Sequence, residues 1–271
     1  MRGAQTRTAL LAALLLLLLI SPSGNAQFSD RNGVPSWEVD KKMPRDLFTF
    51  VRIEYSSYGR RGRRGGGGWA TDWPDAELNL AWRMQQMTSL RIAPEGIYMR
   101  LTDPQLFKYP FIYIVEPGGL VFEEEEVPIL RKYLLNGGFL MIDDFWGERE
   151  YENLAEQMAR VFPDREPEEV PLEHPIFHTV FDLKEKPQIP SIAWAFQGRE
   201  YGITWEREDA KTPHYKAIYD DKKRIMVFIC HNTDLGDGWE REGEDEWYFR
   251  EFSEKKAYPL GINIIFYAMT H

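Results

Sequence analysis

Carboxylates stand at the ends of four apolar segments. Glu54 closes the β-rich run from Phe48 (FTFVRIE). Glu116 follows Phe111 to Val115 (FIYIV), and Asp143 and Asp144 close the run from Phe139 (FLMID and the next residue). His231, Asn232 and Asp234 follow the MVFIC segment. An oxygen-rich set of this kind suits a hard divalent cation. It also suits acid–base work if one carboxyl raises the pKa of its neighbour. Asp143, Asp144 and His231 are the catalytic candidates, and Asp143 and Asp144 the metal-ligand candidates. A single Asp at a strand end commonly caps a helix or forms a turn instead. Four strand ends delivering acids to one edge is more than that explains.

Arg60 and Arg61 belong to an arginine–glycine loop, residues 59–68, directly after the first strand segment. They complete a candidate ligand-binding set of Glu54, Glu116, Asp143, Asp144, Asn232, Asp234, Arg60 and Arg61. The loop is either an anion clamp or a solvated segment partly neutralised by the acidic stretch 237–254. Three other signals are weaker. Asn232 to Gly238 resembles a calcium loop but has Gly at its fifth position and Asp at its sixth, so a tight turn is expected. His174 and His178 stand four apart, but Pro175 keeps them off one helical face. Cys230, the one cysteine, lies in an apolar strand and reads as a buried small hydrophobe. No disulfide framework, cysteine-based zinc site, P-loop or G-x-S-x-G elbow can be built.

The elements that must position these groups follow from periodicity. FTFVRIE reads as an alternating, β-rich strand, and FIYIV and FLMID as buried strands. Helices are expected over 74–88, with Asp72 as N-cap and Pro74 at the first helical position, over 123–136 and over 151–162. Residues 163–215 read as irregular, with short strands near 192–196 and 203–205. A hairpin pairs 217–220 with 224–230. Residues 234–257 read as a long acidic loop, and Pro259 starts a terminal helix. Strands alternating with helices argue for an α/β fold with a mostly parallel sheet, which carries ligands at the carboxyl ends of its strands.

The N-terminus has the order of a secretory signal: Arg2 and Arg7, a 12-residue apolar run from Ala9 to Ile20, then Gly24-Asn25-Ala26. The expected organisation is a signal peptide over 1–26, an N-terminal arm over 27–46 and one α/β domain over 47–271. The expected location is periplasmic or extracellular in a bacterium, with no membrane span after cleavage. Lys+Arg 33 against Asp+Glu 43, a net charge of −10, excludes non-specific nucleic-acid binding.

The segment from Gly137 to Gly147 (GGFLMIDDFWG) resembles the strand and elbow of class I glutamine amidotransferase-like domains. From about Phe48 to His271 the chain resembles a family of exported bacterial proteins catalogued as domain of unknown function 4159. Leu101-Thr-Asp-Pro104, Tyr109-Pro-Phe-Ile-Tyr113, His174-Pro-Ile-Phe177, His231-Asn-Thr-Asp234 and Gly261-Ile-Asn263 carry that resemblance together with the Gly137 segment. It implies a three-layer, flavodoxin-like or amidotransferase-like fold and no established activity. Asp143 stands where an amidotransferase would carry its nucleophilic cysteine, and a carboxylate cannot form the thioester. The expectation is a non-catalytic module binding a ligand or partner, an envelope protein or glycan, through rim acids and loop tryptophans. The alternative is a carboxylate-dependent hydrolase acting on an envelope glycan. No cofactor is expected, with a divalent cation the one open option.

Overall fold

Strand order follows from which segments are apolar on both faces. In a computed structural model that describes residues 31–39, 47–58 and 68–271, FIYIV and FLMID form the strands Phe111–Val115 (β4) and Phe139–Asp143 (β6), all ten residues buried. They pair in parallel with each other. β4 also pairs in parallel with Val51–Ile53 (β1), and β6 with Ile225–His231 (β9). β1 pairs on its other side with Ile97–Met99 (β3), again in parallel. The hairpin places His214–Tyr219 (β8) antiparallel to β9, and Glu168–Glu169 (β7) closes that edge. The sheet therefore runs β3-β1-β4-β6-β9-β8-β7. Ser56–Ser57 (β2) and Leu120–Val121 (β5) form a separate antiparallel pair.

Alternation along the strands divides the core in two. Phe111, Tyr113, Phe139, Met141, Phe228 and Cys230 face one cluster; Ile112, Ile114, Leu140, Ile142, Val227 and Ile229 face the other. The first is covered by helices Asp75–Met87 (α1) and Tyr258–Thr270, the second by Glu126–Leu135 (α2) and Glu148–Val161 (α3). This is a mixed α/β fold, all within the compact unit Asn32–His271. Pro128 sits at the third residue of α2, where its missing N–H costs no helical bond.

Three expectations are corrected. Residues 192–196 are not a strand but helix Ile192–Gly198 (α4), and 203–205 form no strand. The 234–257 segment is not a loop: Leu235–Glu240 (α5) is followed by a helical turn at Glu246–Tyr248 and a π-helical stretch Phe249–Ala257 that runs into the terminal helix. Its tryptophans explain the difference. Trp239 is fully buried and donates to the Ala257 carbonyl at 3.0 Å, which anchors this stretch to the core. Finally, α1 is not capped by Asp72, whose side chain makes no cap bond.

Candidate functional site

The carboxyl ends of β1, β4, β6 and β9 do open on one rim, but they use their acids unequally. Asp143 ends β6 on the same face as Phe139 and Met141, so its side chain turns into the core and is fully buried. One oxygen, Oδ2, accepts from Tyr113 Oη at 3.1 Å, Leu235 N at 2.9 Å and Gly236 N at 3.1 Å. Burial pushes its carboxyl up to about 7, and these donors oppose the rise. Asp143 is thus a scaffold that pins the start of α5, and it makes no part of the closest acid grouping.

That grouping is Asp72, Asp144 and Asp234. One oxygen from each lies within 4.8 Å of the others. Asp144 follows β6 with φ 56°, a left-handed conformation that swings it away from the direction Asp143 takes. Trp146 Nε1 donates to its Oδ1 at 3.3 Å. Asp234 caps α5, accepting from Asp237 N at 2.7 Å. Asp72, φ 63°, comes from the loop before α1. Its Oδ2 is shielded from solvent and has no hydrogen-bond donor among the described residues. Burial pushes all three carboxyls well above their ordinary value. Their mutual charges push further: Asp237 and Glu240 act on Asp72, Glu116 and Asp72 on Asp144, and Asp144 and Asp237 on Asp234. Asp234 is buried, while Asp72 and Asp144 keep limited contact with solvent.

Asp72 belongs to a second grouping with Asp237 and Glu240, again with oxygens within 4.8 Å. Here a cation is already present. Arg241 pairs with Asp237 Oδ1 at 3.2 Å and with Glu240 Oε2 at 2.8 Å. Asp237 also accepts from Ile192 N at 2.5 Å, which ties α4 to the rim.

The loop carrying Asp72 is held by a residue that sequence reading passed over. Arg52, in the middle of β1, is fully buried and lies over the rings of Tyr113 and Trp73. Its Nε pairs with Glu77 at 2.5 Å, and its Nη1 donates to the carbonyls of Trp69 and Thr71. An arginine at the centre of an apolar strand, with a glutamate on the helix that must pack over it, is the signal that could have found this pair. Pro74, two residues on, gives Asp72 the sequence context of a helix cap. Asp237 and Glu240 were hidden in a segment read as loop.

The remaining candidates divide. Glu116 (φ 48°) accepts from Gly68 N and is the strongest charge neighbour of Asp144, so it flanks the site. Glu54 pairs with Arg100 at 3.0 Å. Asn232 bonds Gly147 N at 2.9 Å and the Thr212 carbonyl at 2.9 Å, a strut between loops. His231 is not brought to the acids. It stacks between Phe145 and Tyr151, and its Nε2 faces the Gly147 carbonyl at 3.1 Å. Burial lowers its pKa to about 4. His178 bonds Asp182 and the Leu172 carbonyl, while His174 caps the short 3₁₀ turn at Pro175–Phe177; they share no helical face. The Asn232–Gly238 segment is the cap and first turn of α5. Arg60 and Arg61 lie outside the described residues.

Two of the stretches that carry the family resemblance, Gly137–Gly147 and Gly261–Asn263, are held by close packing and buried hydrogen bonds. A side chain at Gly138 would strike the ring of Tyr133, and one at Gly261 would meet Trp239 Cζ2 at 2.6 Å. Asn263, fully buried, accepts from Val180 N and Phe181 N and donates to the Phe181 carbonyl. No curated protein matches the chain. The family described as Domain of unknown function (DUF4159) matches residues 49–269, which takes in every described acid of the rim, and the chain belongs to that family.

Proposed function

We propose that this chain is an exported, non-catalytic binding module whose rim acids Asp72, Asp144 and Asp234 hold a divalent cation through which a ligand or partner docks. The observation that carries this reading is the triad itself: three carboxylates from three separate segments with oxygens within 4.8 Å of one another, the Asp72 Oδ2 among them shielded from solvent and without a donor among the described residues. Ca²⁺ accepts an irregular all-oxygen shell rich in carboxylates, whereas Mg²⁺ demands near-ideal octahedral geometry and keeps several waters. Calcium is therefore the favoured ion. An ion would relieve both the charge repulsion and the unpaired Asp72 oxygen.

The five parallel strands, taken in sheet order, have the chain order 2-1-3-4-5. That supports a flavodoxin-like, amidotransferase-like architecture, and the rim beside β1 and β4 is the switch point where such sheets bind ligands. The signal-like N-terminus supports export. Exposed Trp194 and Phe196 on α4, whose first amide bonds Asp237, offer aromatic surface beside the rim for an envelope glycan or protein. The hydrolase alternative asks Asp143 or Asp144 to work with Glu54, Glu116 or His231 across a groove. Buried Asp143, buried His231 and the Glu54–Arg100 pair favour binding over turnover.

The test is thermal unfolding of the mature chain in EDTA, Ca²⁺ and Mg²⁺. An ion at 100-fold over its Kd adds about 2.7 kcal/mol. We expect a rise in Tm with Ca²⁺ that Asp144→Asn abolishes and Asp143→Asn leaves in place. A wild-type Tm indifferent to millimolar Ca²⁺ and Mg²⁺ removes the cation from the proposal.

A further inference from the structure

Resting on the cation reading of Asp72, Asp144 and Asp234, we infer that Asp72 also faces a second cation position, formed with Asp237 and Glu240, and that the guanidinium of Arg241 fills it. Asp237 and Glu240 stand three apart on α5 and so share a face. Their oxygens and one from Asp72 lie within 4.8 Å of one another. Arg241 spans two of the three acids, Nε to Asp237 at 3.2 Å and Nη2 to Glu240 at 2.8 Å. Its Nη1 reaches out to Glu244 at 3.0 Å, which anchors it from the solvent side. Asp72 Oδ2 is shielded from solvent and takes no bond from any of these donors. Arg52, the other nearby cation among the described residues, is committed to Glu77 and to the Trp69 and Thr71 carbonyls.

Asp72 thus stands between two acid pairs. A guanidinium is a good surrogate on one side because it is always charged and offers its donors in a fixed fork. Two metal ions sharing a carboxylate, about 3.5–4 Å apart, form the clamp that many hydrolytic enzymes use to stabilise both oxygens of a displacement. A side-chain cation in one position leaves a single exchangeable ion. Arg241 therefore sets the stoichiometry of the rim at one and keeps it a binding site. The Arg241 side chain is about one-third exposed, 32%, so removing it opens no cavity in the core.

The experiment counts ions. Mature protein is stripped with chelator, dialysed against Ca²⁺ and assayed by atomic emission, with calorimetry for affinity. Wild type is expected to hold one Ca²⁺ per chain and Arg241→Gln two, the second more weakly. Glu244→Gln, which removes only the outer anchor, should stay at one. Adding Asp237→Asn to Arg241→Gln should return the count to one. A count in Arg241→Gln no higher than in wild type overturns the inference, and so does a second ion that survives Asp237→Asn. A wild type that holds none beside an Arg241→Gln variant that holds one sinks the first-triad proposal while leaving Arg241 as the occupant of the second. Arg241→Lys supplies a further check: it keeps one charge but loses the fork, and a count above wild type is expected only in the glutamine variant.

Discussion

Replacing Asp143 by Asn should flatten the pH dependence of stability. In the fold the Asp143 carboxyl is pushed up to about 7 by burial, against an ordinary 3.8. The folded state then binds a proton that the unfolded state has released, throughout the window from about 4 to 7. Stability from this group is therefore highest at the acid end and falls as pH rises towards 7. The two values give roughly 2.5 kcal/mol more stability at pH 5 than at pH 8 from this one carboxyl. For a chain of this size that is about 5–10 °C in Tm. Asparagine keeps an oxygen where Oδ2 accepts from Tyr113, Leu235 and Gly236, and carries no titrating proton. Urea unfolding in EDTA at pH 5, 6.5 and 8 should show the pH 5 advantage shrinking by roughly 2.5 kcal/mol in the variant. His231 works in the opposite sense, because its pKa of about 4 lies below its ordinary value and stability is lost as pH falls through 6.5 towards 4. It is common to both proteins and cancels in the comparison. Parallel pH profiles for wild type and variant, within about 0.5 kcal/mol of each other, would mean that Asp143 is ionised across the range and the assigned burial cost is wrong.

Two further substitutions probe the frame of the site. A Cβ at Gly236 would press on Asp72 Oδ2 and stand 3.2 Å from Tyr113 Oη, so Gly236→Ala should cost about 1–3 kcal/mol in urea unfolding and remove the Ca²⁺ response in Tm. Arg52→Leu leaves Glu77 buried and unpaired, an expected loss of about 3–5 kcal/mol, and the Arg52→Leu/Glu77→Leu double variant should recover most of it by the same measurement.

The parallel strands were legible because nothing else explains FIYIV and FLMID: five residues each, all apolar but the closing Asp143, and bounded by turn residues, they are too short for a helix and too apolar for a surface strand. The rim followed from them by topology. What periodicity does not report is where a side chain points once a strand ends. Asp143 and Asp144 are neighbours of one type, yet the first continues the inward alternation of Phe139 and Met141 while the second turns through a left-handed residue to the other acids. Asp72 has the sequence context of a helix cap, and only the Arg52 contacts with the Trp69 and Thr71 carbonyls show why its side chain goes elsewhere. In 234–257, acids and aromatics alternate without a clear helical stripe, because Trp239, Tyr248 and Phe252 are buried while Glu240 and Glu244 pair with Arg241 and Glu242 with Arg83.

The same contacts explain how a fold tolerates such a cluster. Three raised carboxyls and a fourth in Asp143 all work against folding when charged. The structure offsets them with elements that do not depend on the ligand: the buried Arg52–Glu77 pair, the α5 amides turned onto Asp143, and a core on each face of the sheet. None of these neutralises Asp72 on its first-triad side. A protein selected for stability alone would replace Asp72 or Asp144 by Asn, keeping size and hydrogen bonds while removing the repulsion. Keeping the charges makes physical sense if a cation spends time among them, and the cost in the ion-free state then becomes affinity when the ion arrives.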